Sequence, residues 1–187
     1  MNGALPKWLR LEPPSMDYLV ELREWSESIV STKQDGPGGY RPEDWKDSQS
    51  KVDSEFYGVV GEVTIAKYFD VKPNLRIYGK YQGDGGFDLQ LGPWLAGVKT
   101  TRIRGEREAP PTCGLILRPN EKCCDVMIQC YIGKYFTYVD VAGWVSQRRW
   151  DEHHVLKDLG YGPRRFMEQE NLSDIRNLLP QVESRRL

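Results

Sequence analysis

The sequence predicts a domain of the α/β class, with a central mixed β-sheet flanked by helices. Two patterns lead to this prediction. In the N-terminal part of the chain the apolar residues recur at helical spacing, whereas beyond Pro73 they alternate with a period of two, as in strands. The chain has 187 residues, of which 39% are hydrophobic. This is enough for one compact core and short for two.

Two helices are expected before the strands. The first runs from Ser15, which can cap the first amides, to Val30, and its outer face is acidic. A loop rich in Gly and Pro follows at 35–44. The second helix is expected to open at Asp53 or Ser54 and to end near Phe69. We therefore expect residues 1–50 to form an N-terminal helix and loop, and residues 51–187 to form the domain proper.

Six short strands are then expected, separated by Gly, Pro and Asn residues. They lie in the stretches LRIYG, GFDLQLG, WLAGVKTTR, CGLILR, CCDVMIQCYI and KYFTYVDV. Between the last two, a type II′ turn with a positive φ at Gly133 is predicted. Ser146 can cap a third helix, which is predicted to end at Gly160.

Charge and composition narrow the function classes. Lys and Arg number 26 against 27 for Asp and Glu, so the net charge of −1 gives no global support for a nucleic-acid partner. A local basic patch would have to bind it. No apolar run approaches the roughly 18 residues that span a bilayer, and no signal-peptide pattern is present, so we expect a cytoplasmic protein without a membrane partner. The lack of a Gly-rich phosphate loop argues against a nucleotide cofactor.

The four cysteines, Cys113, Cys123, Cys124 and Cys130, lie within one short stretch. Their spacing could indicate a zinc or iron-sulfur site, but it lacks a C-x2-C knuckle. The surrounding sequence is strand-like, which favours buried thiols. We therefore expect free cysteines, with a metal cluster as the alternative.

Three side chains are candidates for catalysis. Glu62 lies within the apolar stripe of the second helix, where a carboxylate is costly unless it finds a metal, an arginine or a backbone amide. Asp88 alternates with apolar neighbours and so occupies the polar face of its strand, as it would on any surface strand. Lys99 follows a Gly-Pro turn, which can make the two strands antiparallel and bring both side chains to one end of the sheet.

Two carboxylates and an ammonium that meet at one point suit phosphodiester hydrolysis. Carboxylate oxygens are the preferred ligands of hard cations such as Mg²⁺, and a lysine beside the metal can orient or help to deprotonate a water. Just after the lysine, a threonine-arginine stretch could contact phosphates or be an ordinary solvated strand end: Thr100, Thr101, Arg102 and Arg104. The hydrolytic interpretation fails if the three side chains are held well apart, or if the ammonium is buried in an unrelated ion pair.

The stretches GEVTIAKYF, GDGGFDLQL and GVKTTR, in this order and spacing, resemble the PD-(D/E)xK nuclease superfamily, and small phage-type members most of all. The tail is also similar, with VDVAGWVSQRRW followed by LGYGPRRF. The resemblance covers about Ser54 to Arg165. It implies a restriction-endonuclease-like core and a metal-dependent deoxyribonuclease that hydrolyses DNA, in the host cytoplasm if the protein is phage-encoded.

The resemblance also assigns residue roles. It implies Glu62, Asp88 and the position before Val98 as ligands of Mg²⁺ or Mn²⁺, and Lys99 as the catalytic lysine. In this chain we expect the metal site to keep Glu62, Asp88, the Val98 carbonyl and waters. One position departs from the family pattern. Gly97 stands where Asp, Glu or Gln is usual, and it has no side chain to bind a metal.

The glycine at this position leaves several alternatives open. Gln90 shares the strand face of Asp88, and Glu55 lies one heptad before Glu62, so either could replace the missing ligand, although both residue types are usually ordinary surface groups. The alternative function is a nuclease fold that has lost catalysis and acts as a DNA-binding or protein-interaction module. An RNA-directed nuclease is a third. The acidic first helix could be a homodimerisation arm, a lid or a partner site.

Overall fold

The computed structural model describes residues 8–34, 48–75, 86–103, 114–160 and 162–183, and within them the fold is mixed α/β. The helices are α1 (Met16–Gln34), α2 (Ser48–Tyr68), α3 (Gln147–His153) and α4 (Leu179–Glu183). The strands are β1 (Leu9–Leu11), β2 (Leu89–Leu91), β3 (Trp94–Arg102), β4 (Leu115–Leu117), β5 (Val126–Ile132), β6 (Val139–Ser146), β7 (Val155–Asp158) and β8 (Pro163–Met167). None of the described helices is long and apolar enough to cross a membrane.

The strands form two sheets. The larger sheet has the order β1-β6-β5-β3-β2, in which β3 and β5 run parallel and the other neighbours run antiparallel. The smaller sheet has the order β4-β8-β7 and is antiparallel. A parallel pair needs a crossover connection, and β4 lies in the one between β3 and β5. The predicted α/β class with a mixed sheet is therefore confirmed.

The larger sheet is covered on both faces. On one face, α1 and α2 pack Leu22 and Val60 against Val98 of β3 and Ile128 of β5. Burying each such side chain contributes about 1.5 to 3 kcal/mol. On the other face, a second core joins β5 to the smaller sheet and to Trp150 of α3.

The N-terminal segment shares the main core. Leu19 and Leu22 of α1 are buried in it, and β1 pairs with β6 at the edge of the larger sheet. The predicted division at residue 50 therefore separates elements that pack together. An amphipathic helix has the same sequence pattern whether its apolar face packs on its own domain or on another one, so the pattern does not locate a domain boundary.

The first two helices were largely predictable. Ser15 caps α1 as expected, because its Oγ accepts a hydrogen bond from the N–H of Tyr18 at 3.3 Å. Helix α2 begins at Ser48, before the predicted start at Asp53. Asp53 lies inside the helix and pairs with Arg23 of α1, with Oδ1 and Nη1 2.6 Å apart. This contact with α1 stabilises the first turns of α2, which the local sequence alone does not predict.

The turn between β5 and β6 differs from the prediction. Gly133 has a φ of −67°, whereas the left-handed residues are Tyr135 and Phe136, with φ of 63° and 55°. The type II′ prediction for Gly133 is therefore wrong. Glycine is required there for another reason, because a Cβ would lie 2.6 Å from the ring of Tyr138.

The third helix is capped as predicted but is shorter. Ser146 Oγ accepts a hydrogen bond from the N–H of Arg149, and α3 ends at His153 instead of continuing to Gly160. The following residues form β7, because β8 offers them a strand partner. Residues 76–79 of the strand predicted for LRIYG lie outside the described residues.

Candidate functional site

Asp88 and Lys99 come together on one face of the β2–β3 hairpin. Leu89 and Val98 point into the core beneath α2, so the two-residue period of the strands places Asp88 and Lys99 on the opposite face. The carboxylate of Asp88 is fixed in place, because its Oδ2 accepts a hydrogen bond from the N–H of Val98 at 2.7 Å. Its own N–H donates to the carbonyl of Ala96.

Lys99 pairs with a carboxylate that the sequence did not single out. Its Nζ lies 2.5 Å from Oε1 of Glu121, and the two side chains are 37% and 28% exposed. Burial acts to lower the pKa of Lys99, but the charge and hydrogen bond of Glu121, aided by Asp88, outweigh it and raise the pKa. Lys99 is therefore an ammonium at neutral pH. As an ammonium it can orient a water or stabilise negative charge.

Glu121 is held in a turn between β4 and β5. Its N–H donates to the carbonyl of Arg118 at 3.2 Å, and its Oε2 accepts a hydrogen bond from the N–H of Arg118 at 3.1 Å. Arg165 of β8 donates to the carbonyls of both Arg118 and Glu121. Because the turn is already ordered, forming the ion pair with Lys99 costs less side-chain entropy.

Sulfur-containing side chains occupy the space beside Gly97. A Cβ at this position would lie 2.8 Å from Sδ of Met127 and 3.2 Å from Sγ of Cys124. The thiol of Cys124 in turn donates to the carbonyl of Gly86 at 2.8 Å. A carboxylate at position 97 would therefore require both neighbours to move. No local sequence pattern predicts this contact.

Glu62 is carried by α2, which lies on the other face of the sheet. Its neighbour Gly61 packs so closely against β3 that a Cβ there would collide with the hydroxyl of Thr100. Helix α2 therefore covers the face of β3 opposite to Lys99, and Glu62 is half-buried on this helix. Of the three predicted catalytic residues, the structure places Asp88 and Lys99 on a shared face and Glu62 on the helix behind it.

The carboxylates near Lys99 could bind only a cation that keeps most of its ligands as water. Among the described residues, no three His, Cys, Asp or Glu side chains are grouped to hold a metal ion. Two carboxylates, Asp88 and Glu121, act on the charge of Lys99, and Val98 directs its backbone N–H toward Asp88. Mg²⁺ is often bound by one or two carboxylates and keeps several waters. Asp88 and Glu121 have the donor chemistry for such a cation, but the described residues do not form an all-protein cage.

The two residues considered as replacement ligands are placed elsewhere. The amide of Gln90 is exposed and donates to the carbonyl of Gly92 at 3.3 Å, within its own turn. Glu55 is half-buried on α2, the helix that also carries Glu62. Glu121 is the additional carboxylate that contacts the lysine.

The predicted nucleic-acid contacts differ in exposure. Thr101 and Arg102 are exposed at the end of β3. The hydroxyl of Thr100 is buried against Gly61, so it does not face a ligand in solution. Arg104 lies outside the described residues. A phosphate contact at this end of β3 would therefore come from Thr101 and Arg102.

Three of the cysteines are free thiols, as predicted: Cys123, Cys124 and Cys130. Burial raises the pKa of Cys123 to about 12 and also raises the pKa of Cys130. These two thiols therefore stay protonated at neutral pH, and thiols of this kind are poor nucleophiles. Cys113 lies outside the described residues.

Comparisons with known proteins assign no family to the chain. No protein-family model matches it, and no match was found among curated proteins or solved structures. Its function is therefore inferred from the chemistry of the residues described above.

Proposed function

We propose that the protein is a metal-dependent deoxyribonuclease of the PD-(D/E)xK type, with a restriction-endonuclease-like core. Its centre consists of Asp88, Lys99 and Glu121. The supporting observation is that Asp88 and Lys99 emerge on one face of adjacent strands, with Oε1 of Glu121 2.5 Å from the ammonium. In this proposal Glu121 takes the part of the acid that the nuclease pattern places where this chain has Gly97.

Each residue has a role that its surroundings support. Lys99 would orient the attacking water and stabilise the negative charge that develops on the phosphate oxygens. Asp88 and Glu121 would hold Mg²⁺ or Mn²⁺, which polarises a phosphate as a Lewis acid when it is bound. Thr101 and Arg102 would contact the DNA backbone and set its position. Glu62, on the helix behind β3, is given no ligand role, so this centre replaces the expected one of Glu62, Asp88 and Lys99. The side chain of Lys99 is 37% exposed and so is not buried in its ion pair, and the proposal requires that its partner Glu121 is itself a metal ligand.

The test is cleavage of linear, branched and single-stranded DNA by the purified protein in Mg²⁺ or Mn²⁺. We expect Lys99→Ala, Asp88→Asn and Glu121→Gln to lower the cleavage rate by about 100-fold or more. The matched control is Glu168→Gln, which removes an exposed partner of Lys157 at 3.5 Å and should leave cleavage unchanged. The proposal is rejected if the wild type does not cleave, or if Lys99→Ala cleaves as fast as the wild type.

A second function is favoured by the surroundings of Gly97. Met127 and Cys124 fill the space of the usual acid, as they could in a DNA-binding module that no longer cleaves. This candidate predicts DNA binding in EDTA and no cleavage with any divalent cation. Gain of cleavage on combining Gly97→Asp with Met127→Ala, which makes room for the new carboxylate, would support it. Turnover by the wild type would exclude it.

A further inference from the structure

A column of contacting side chains lies at the C-terminal end of β3. The guanidinium carbon of Arg102 is 5.0 Å from the ring centroid of Tyr57. Tyr57 stacks on Phe136, with centroids 5.1 Å apart and planes at 11°. Phe136 also contacts Phe56, a buried residue of the main core. The column is therefore anchored in the core, while Arg102 is exposed to solvent.

Tyr135 extends this surface into solvent. It precedes Phe136 in the turn between β5 and β6, and 68% of it is exposed. Both residues have left-handed backbone, which costs about 1 to 3 kcal/mol for each non-glycine residue. In this conformation Phe136 packs on Tyr57 while Tyr135 stays exposed.

Arg102 contributes a positive charge to this surface and acts on Tyr57. Two other charged groups, Arg23 and Asp53, also act on Tyr57. They pair with each other, with Nη1 and Oδ1 2.6 Å apart, so their charges largely cancel. The exposed guanidinium contacts Tyr57, and the exposed ring of Tyr135 is next in the chain to Phe136, which stacks on Tyr57. Such a surface suits a ligand with flat faces and a negative backbone.

We propose that this surface, formed by Arg102, Tyr57, Phe136 and Tyr135, binds an unpaired strand of DNA. Bases would stack on the Arg102 guanidinium and on the Tyr135 ring, while the column beneath Arg102 holds the guanidinium in place. Aromatic rings and guanidinium planes are the usual platforms for unstacked bases, and their contacts tolerate different sequences because every base has a π-face.

This inference rests on the proposed function and narrows its substrate. Arg102 lies three residues after Lys99 on β3, or roughly 10 Å along an extended strand. The two side chains lie on opposite faces of β3. A DNA strand that contacts both would therefore pass around the C-terminal end of β3. Junctions of paired and unpaired DNA would then be preferred over blunt duplex.

The test is fluorescence anisotropy of labelled DNA in EDTA, where a metal-dependent reaction cannot proceed. The probes are oligo(dT), an abasic oligonucleotide of the same length and a blunt duplex. Because the abasic strand has the same charge but no bases, we expect oligo(dT) to bind about tenfold more tightly or better. Equal binding of the two single strands would overturn the proposal.

Variants test whether the preference for oligo(dT) over the abasic strand depends on this surface. Arg102→Lys keeps the charge but loses the plane, and Tyr135→Ala removes the ring. Each should weaken oligo(dT) binding about fivefold or more without changing binding of the abasic strand. Tyr135→Phe keeps the ring and should keep the affinity. Arg148→Lys, at an exposed arginine of α3, is the control and should change nothing.

The binding result is separate from the cleavage result. If the protein does not cleave DNA but shows the base preference, and both Arg102→Lys and Tyr135→Ala lose it, the binding surface is supported and the nuclease function is rejected. If the protein cleaves DNA but binds oligo(dT) no better than the abasic strand, the nuclease function is supported and the binding surface is rejected. Unchanged oligo(dT) affinity in both variants would also overturn the inference.

Discussion

Nζ of Lys99 lies 2.5 Å from Oε1 of Glu121, a residue of the turn before β5 and not of the strand that carries the lysine. In the nuclease pattern on which the proposed function is based, an acid stands two residues before the lysine on the same strand. Here that position is Gly97, and Met127 and Cys124 pack into the space. The acidic partner of the lysine therefore comes from a different element of the fold.

Replacing Glu121 by Gln should lower the pKa of Lys99. Burial already acts to lower this pKa, and the charge and hydrogen bond of Glu121 outweigh it in the wild type. Glutamine keeps the shape of the side chain and removes the charge, which leaves Asp88 as the main group opposing burial. The pKa can be followed by NMR titration of lysine side-chain resonances in isotopically labelled protein.

Two further proteins control this measurement. Lys99→Arg removes one lysine resonance and so assigns it. Glu168→Gln removes the exposed partner of Lys157 and should leave the titration of Lys99 unchanged. If the pKa of Lys99 is the same in Glu121→Gln and in the wild type, the ion pair does not control the lysine.

Adding a side chain at Gly97 should destabilise the fold. In Gly97→Ala the new Cβ would lie 2.8 Å from Sδ of Met127, and overpacking of a buried site costs about 1 to 3 kcal/mol in the free energy of unfolding. Since Met127 presents the flexible end of its side chain, Met127→Ala should remove most of this clash. Urea unfolding of the two single variants and the double variant should give a coupling energy above about 0.5 kcal/mol. Additive effects would contradict the contact.

Two glycines of α2 should respond to alanine in opposite directions. At Gly61 the Cβ would collide with Thr100 at the helix–sheet contact, so Gly61→Ala should lower the free energy of unfolding by about 2 kcal/mol or more. At Gly58 the nearest atom is Oε1 of Glu62, 3.9 Å away. Gly58→Ala should therefore stabilise the helix by about 0.5 to 1 kcal/mol.

Thermal unfolding of the two variants measures this difference. The double variant Gly61→Ala with Thr100→Gly removes the colliding side chain, and should recover part of the loss. Equal melting temperatures for Gly58→Ala and Gly61→Ala would mean that α2 does not approach β3 as closely at Gly61 as described.

Local sequence signals predicted the parts of the fold that depend on local chemistry. The capping hydroxyls of Ser15 and Ser146 mark the starts of α1 and α3, and the apolar period marks α2 and β3. The shared face of Asp88 and Lys99 followed from strand alternation and the Gly-Pro turn. In each case the information lies within a few neighbouring residues.

The missed features depend on residues distant in sequence. Glu121 meets Lys99 only because the crossover returns to the sheet, and Arg165 of a later strand fixes its turn. Val155 begins a strand because β8 pairs with it, although the preceding residues are helical. Gly133 is needed beneath the ring of Tyr138, a contact that a turn rule based on φ does not include.

The pairing of Asp174 with Arg176 should make stability depend on pH in the acid range. The hydrogen bond from the guanidinium, with Nη2 2.5 Å from Oδ2, lowers the pKa of Asp174. A lowered folded-state pKa stabilises the protein above the usual value of about 3.8, and this contribution disappears as the pH falls through the lower value. Asp174→Asn should therefore unfold at lower urea than the wild type at pH 7, and the two midpoints should converge as the pH falls through the lowered pKa of Asp174. Glu152→Gln, in an exposed pair with Arg148, should match the wild type throughout. A gap between wild type and Asp174→Asn that stays constant with pH would show that the aspartate acts through its shape and not through its charge.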